Sequence, residues 1–228
     1  MDFILEGFAK AVFLLISLDA STVTAISATL KASTWAMAAS LAAGLPLGFL
    51  LGYFDFRGKR PLRTLVDTLL ALPTVSIGLI IYALISSQGP LGEFGLLFTI
   101  TGIAMGQTLL ALPVIIAITA ATVENIDPDL KLTLVSLGAA KLDIIRTCLW
   151  EVRYGIMAGA VTAYGRVLTE VGISMMVGGN IKYHTRTITT AIALETSKGQ
   201  FADGIALGLV LISIAFCVNI CLSVLRKK

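Results

Sequence analysis

Five long apolar stretches, separated by short clusters of charge, proline and glycine, dominate this sequence and restrict what it can fold into. They run from about 23 to 54, 62 to 85, 96 to 123, 155 to 177 and 201 to 225. Each is near or above the roughly 20 residues that a helix needs to cross a bilayer core. Only 14% of the residues are charged against 57% hydrophobic, where a soluble domain carries about 25% charged residues. A soluble core of this size could not hide that much apolar surface. Inside lipid, only helices and closed barrels satisfy their own backbone. A barrel would show short alternating segments, whereas these runs are continuous. The expected fold is an all-α polytopic membrane protein with five transmembrane helices.

Residues 1–18 are too short and too polar to be a sixth span, being interrupted by Glu6 and Lys10. They lack the basic start of a signal peptide. The expectation is an external amphipathic helix over 1–20, lying at the membrane surface, followed by a transmembrane unit over 21–226. Lys and Arg in the connections set the orientation. One side collects Arg57, Lys59, Arg60, Arg63, Lys131, Lys141, Arg146, Arg153, Arg226, Lys227 and Lys228; the other keeps Lys10, Lys31, Lys182, Arg186 and Lys198. This bias puts the N-terminus outside and the C-terminus in the cytoplasm.

Several chemistries are disfavoured. No basic block is interleaved with aromatics, so nucleic acid is not a partner. The lone His184 and the cysteines Cys148, Cys217 and Cys221 fall short of the three or four ligands of a typical metal site; the cysteines read as apolar filler. A membrane enzyme would need a cluster of His, Asp or Glu near the interface. There is no P-loop pattern, so no nucleotide cofactor is expected on this chain.

Within the apolar stretches, small residues recur at four-residue steps: Ala36, Ser40, Gly44, Gly48 and Gly52 in the first, Gly102 and Gly106 in the third, Gly155, Gly159 and Ala163 in the fourth. Such faces allow close helix approach, either inside one chain or across a dimer. The string TLLALP occurs at 68–73 and again at 108–113. Its prolines, Pro73 and Pro113, fall about 15 Å from the cytoplasmic ends of their spans at 1.5 Å per residue. Both are candidates for a bend beside a water-filled path.

The connection at about 124–153 is too long for a turn. Asp127 can cap a helix that begins at Pro128, with Leu130, Leu134 and Leu137 on one face. Gly138 ends it. Ala139 follows, and a second short helix begins at Lys141 with Leu142 and Asp143. Two short helices with a glycine between them make a docking surface for a soluble partner.

This segment resembles the coupling loop of type I ABC importer permeases, with Gly138 and Ala139 at the motif glycine and its follower. Leu132, Thr133 and Leu134 stand where the family carries Glu-Ala-Ala. The stretch 163–181, AYGRVLTEVGISMMVGGNI, is similar to that of oxyanion permeases for molybdate, tungstate and sulfate. In those proteins an Arg, an acidic residue, a Gly and a closing Gly-Asn recur in this order: here Arg166, Glu170, Gly172, Gly178, Gly179 and Asn180. The continuation to about 209 is similar to the tungstate branch. The resemblance implies a homodimeric inner-membrane permease that docks two cytoplasmic ATPase subunits, which hold the ATP and Mg, and receives an oxyanion from an external binding protein.

Arg166 and Glu170, four residues apart in the fourth span, read either as a pathway or gate pair or as a structural ion pair. Thr187 and Thr190, in the hydroxyl-rich and basic segment after Asn180, suit an oxyanion or a solvated face toward the binding protein. A secondary transporter or channel without an ATPase is the alternative, but beyond TLLALP the chain shows no paired repeat.

Overall fold

The computed structural model describes residues 2–17 and 19–226; Met1, Leu18, Lys227 and Lys228 lie outside the described residues, as do the side chains of Lys131, Cys221 and Arg226. Among the described residues the chain is all-helical, with eleven α-helices, a 3-10 turn at Gly92–Phe94 and no strand. Three helices are long and apolar enough to cross a membrane: α2 (Ala20–Tyr53), α5 (Ile100–Glu124) and α11 (Phe201–Arg226).

The centre of the bundle is the seam between α2 and α5. A Cβ on Gly44 would stand 2.8 Å from Ile115 Cγ2, one on Gly48 2.6 Å from Thr119 Cβ, and one on Gly52 2.9 Å from Val123 Cβ. The contacts advance together along both helices, so α2 and α5 run parallel. Ala36 and Ser40 continue the same buried stripe, and Ser40 Oγ donates to the Thr108 carbonyl at 3.2 Å. Lipid tails are as apolar as leucine, so backbone proximity and dispersion drive this association. The small-residue stripe therefore serves packing within the chain. Gly155 and Gly159 do the same for α8 (Arg153–Leu168), against Thr122 and Ile118 of α5.

Two of the expected spans are broken. The stretch 62–85 forms α3 (Lys59–Leu70) and α4 (Thr74–Ile85), which turn by 99° at residues 71–73. The stretch 155–177 forms α8, which ends at Leu168, and α9 (Gly172–Gly178). The two copies of TLLALP thus have different outcomes. Pro73 sits before the first turn of α4, whereas Pro113 lies inside an uninterrupted α5. Tertiary packing explains the difference. Leu110, Ala111, Val114 and Ile115 around Pro113 are buried on several sides, which holds the helix despite its missing donor. Ala71 and Pro73 are exposed, and nothing there opposes the bend.

The first helix, α1 (Asp2–Ile16), lies along α11: a Cβ on Gly7 would stand 2.6 Å from Ile205 Cγ2, and Lys10 pairs with Asp203. Ala11 is buried on the same side, while Leu5, Phe8, Phe13 and Ile16 point outward. Asp19 then caps α2 by accepting the Thr22 N–H at 2.9 Å. At the opposite end of the bundle from α2's C-terminus, α10 (Ile188–Ser197) closes a core of Ala25, Ile188, Ala191, Leu207, Val210 and Leu211.

Candidate functional site

The connection after α5 forms the two expected short helices, α6 (Pro128–Ser136) and α7 (Lys141–Glu151). Asp127 accepts the Asp129 N–H at 2.9 Å, with Pro128 in the first helical turn. Between the helices Gly138 adopts φ +75, and a Cβ there would meet nothing within 4 Å. Its role is therefore backbone conformation and not space. The N–H groups of Gly138 and Ala139 donate to the carbonyls of Val135 and Leu134, both at 3.0 Å.

This elbow has two sides. Leu134 and Ala139 pack onto a core of Phe49, Val123, Ile144, Cys148 and Val152. Leu137, Leu142, Lys141 and Asp143 face outward. Leu137 does not share the face of Leu130 and Leu134, because α6 ends at Ser136 and Leu137 is already in the turn; it is 77% exposed. Leu132, Val135 and Trp150 join it on the open side; sequence reasoning placed Leu132 only as a motif position and did not single out the exposure of Val135 and Trp150. Their signal was an apolar residue on the polar face of a short helix. The Arg153 guanidinium stacks on Trp150 and Tyr154 at 4.3 and 4.2 Å. A cleft of about 430 Å³ runs from this elbow to Tyr53, Phe54 and Asp55 at the end of α2. Nearby, Glu124 takes Lys59 at 3.3 Å and Arg63 at 3.1 Å, tying the start of α3 to the end of α5.

The two helix breaks meet. A Cβ on Gly172 would stand 3.0 Å from Thr74 Oγ1 and 3.2 Å from the Val75 nitrogen. Arg166, in the last turn of α8, donates from Nη2 to the Leu70 carbonyl at 3.2 Å, at the end of α3. Glu170 is buried, and its Oε1 accepts the Ile173 N–H at 3.0 Å, at the start of α9. Thr189 Oγ1 donates to the Glu170 carbonyl at 2.8 Å, and Gln107 Nε2 to the Val167 carbonyl at 3.4 Å. No ion pair joins Arg166 to Glu170 among the described residues. The helix stops between them, so four-residue spacing does not bring them to one face. Each charge instead sits at the helix end that suits it, the cation at a C-terminus and the carboxylate at an N-terminus.

Beyond α9 the chain turns on Gly179, at φ +67, where a Cβ would also stand 2.7 Å from the Phe98 ring. Gly178 is buried against Ile103. Asn180, at φ +50, accepts the Arg186 Nε–H on Oδ1 at 3.0 Å. Thr187 and Thr190 form a reciprocal capping box at the start of α10 and are buried. The Ile188 N–H reaches Thr29 Oγ1 of α2 at 2.9 Å. These threonine hydroxyls are engaged with backbone and with each other, and Thr189 holds α10 against the break.

The comparisons with known proteins agree with this geometry. Residues 44–228 match the family model described as the binding-protein-dependent transport system inner membrane component. The chain is 51% identical over 219 residues to the tungstate uptake system permease protein TupB of Campylobacter jejuni, covering 96% of this chain and 92% of that protein. It is 37% identical over 228 residues to TupB of Peptoclostridium acidaminophilum, with all of both chains covered. Among solved structures, the inward-facing MetNI methionine ABC transporter matches with a TM-score of 0.74 at 16% identity, over 91% of this chain and 95% of that one, a likeness of fold. This chain therefore belongs to the binding-protein-dependent inner membrane transport components and is an ABC transporter permease of the type I importer fold.

Proposed function

We propose that this chain is the membrane subunit of an ATP-driven importer that carries tungstate inward. It works as a homodimer, with one ATPase subunit docked on each copy and an external binding protein delivering the anion. ATP and Mg belong to the ATPase subunits. The observation that carries the reading is the elbow at Gly138. Its open side presents Leu132, Val135, Leu137 and Leu142, and an apolar surface of that kind at the end of a membrane bundle calls for a soluble partner. The tungstate assignment follows from the 51% identity to a tungstate permease over nearly the whole chain; molybdate is the next choice and sulfate the third.

In this reading the α6–α7 end is cytoplasmic, in keeping with the Lys and Arg bias. The broken helices count as two of five spans within a transmembrane unit of about 21–226, with the C-terminus inside and the N-terminus outside. Because α5 runs into α6 through only three residues, Asn125 to Asp127, a displacement of the docked ATPase is delivered to the central helix. Irregular backbone at membrane depth is tolerated where it lines a water-filled cavity, so the facing breaks at 71–73 and 169–171 border the translocation path.

The test is co-purification with the ATPase and binding-protein subunits, followed by an ATPase assay in lipid with the binding protein loaded with tungstate, molybdate or sulfate in turn. A two-plus-two complex stimulated most by tungstate is expected. A chain that purifies alone and couples to no ATPase would favour a secondary transporter or channel.

A further inference from the structure

Arg166 lies thirteen residues beyond the start of α8 at Arg153, or about 20 Å along the helix, well inside a hydrocarbon core of about 30 Å. It is exposed on the surface of the single chain. A charge at that depth is costly unless it faces a partner or a water-filled cavity. No carboxylate pairs with it among the described residues, and the nearest by sequence, Glu170, is engaged with the first turn of α9. Its described bond is one N–H to the neutral carbonyl of Leu70. A guanidinium has five N–H donors in a fixed fork, so donors remain. Beside it, a Cβ on Gly165 would meet nothing within 4 Å, so the adjoining space is open.

We propose that Arg166 is an oxyanion contact inside the translocation path: a guanidinium anchored on the end of α3, with its remaining donors and its uncompensated charge turned toward the passing anion. The inference rests on the oxyanion-permease reading above and adds a specific site to it. A tetrahedral dianion presents paired oxygens to such a fork and gains charge-assisted bonds. The single anchoring bond to Leu70 fixes the fork without neutralising it.

The test uses the complete reconstituted complex and compares Arg166→Gln with Arg166→Lys. Glutamine keeps a neutral donor for the Leu70 carbonyl and loses the charge; lysine keeps the charge. At saturating tungstate-loaded binding protein, Arg166→Gln is expected to lower import per ATP by about tenfold or more, as loss of a charge-assisted bond implies. The concentration of loaded binding protein giving half-maximal import should not change. Arg166→Lys should stay within about threefold of the parent protein. Equal import by Arg166→Gln and the parent would overturn the proposal. So would equal loss in both variants with a matching drop in thermal stability, which would make the residue a structural tie to α3 or to a second copy. A parent complex that imports no oxyanion would instead count against the function proposed above, whatever the variants do.

Discussion

Glu170 Oε1 accepts the main-chain N–H of Ile173 at 3.0 Å, so a buried carboxylate that looked like half of an ion pair serves the first turn of α9 from just before its N-cap residue, Val171. Removing the acceptor leaves that N–H buried without a partner. Glu170→Ala should therefore destabilise the protein by about 1–3 kcal/mol, read as a lower unfolding midpoint in detergent. Glu170→Gln retains an acceptor oxygen and should lose less. Equal midpoints for Glu170→Ala and the parent protein would show that this bond is dispensable.

The α2–α5 seam predicts strict size limits at Gly48. An added Cβ would stand 2.6 Å from Thr119 Cβ and 2.8 Å from the Ile116 carbonyl oxygen, which is backbone. Gly48→Ala should cost about 1–3 kcal/mol through overpacking, despite the better helix propensity of alanine. Gly208, on α11, has nothing within 4 Å of its Cβ position, so Gly208→Ala is the matched control and should be neutral or slightly stabilising.

At the elbow, Gly138 supplies a positive φ, and the space outside it is open. Gly138→Asn should insert and function, because asparagine tolerates the left-handed region. Gly138→Val should fail through backbone strain. Gly138→Arg should insert into the membrane and abolish transport, because a large side chain would occupy the surface assigned to the ATPase. Normal transport by Gly138→Arg would remove the elbow as the docking surface.

Asp19 links stability to acid. The Ser21 hydroxyl and then the Thr22 N–H hold its carboxyl below the ordinary value of 3.8. A lowered folded-state value means that the stabilisation is complete above the unfolded value and is lost as pH falls through the lower, folded one. Asp19→Ala should cost about 1 kcal/mol at neutral pH, as loss of an N-cap does. Asp19→Asn, which caps without titrating, should hold its unfolding midpoint better than the parent as pH drops below about 4. Parallel curves for the two from pH 6 to 3 would contradict this.

Much of the architecture was legible in the chain because its signals are local. The runs around α2, α5 and α11 are long and apolar, and the Asp127-Pro128 start and the Gly138 turn use the residues that caps and turns demand. The breaks were not legible, because the same hexapeptide bends at Pro73 and stays helical at Pro113; the outcome depends on neighbours supplied by distant helices. The partners of Arg166 and Glu170 were not legible for the same reason, since a four-residue spacing has meaning only where the helix continues. Thr187 and Thr190 carried a readable clue, a threonine three residues before another at a helix start, but it points to capping and not to a ligand.

The stripe on α2 also sets rules for how such a sequence can diverge. At position 44 the obstacle is the side chain of Ile115, so a larger residue there can be accommodated by a smaller one at 115, and natural variants should trade volume between those two positions. At 48 and 52 the obstacles include the carbonyl oxygens of Ile116 and Ala120, which no substitution removes. Glycine at those two positions is an evolutionary dead end for side chains, while position 44 remains open to paired drift.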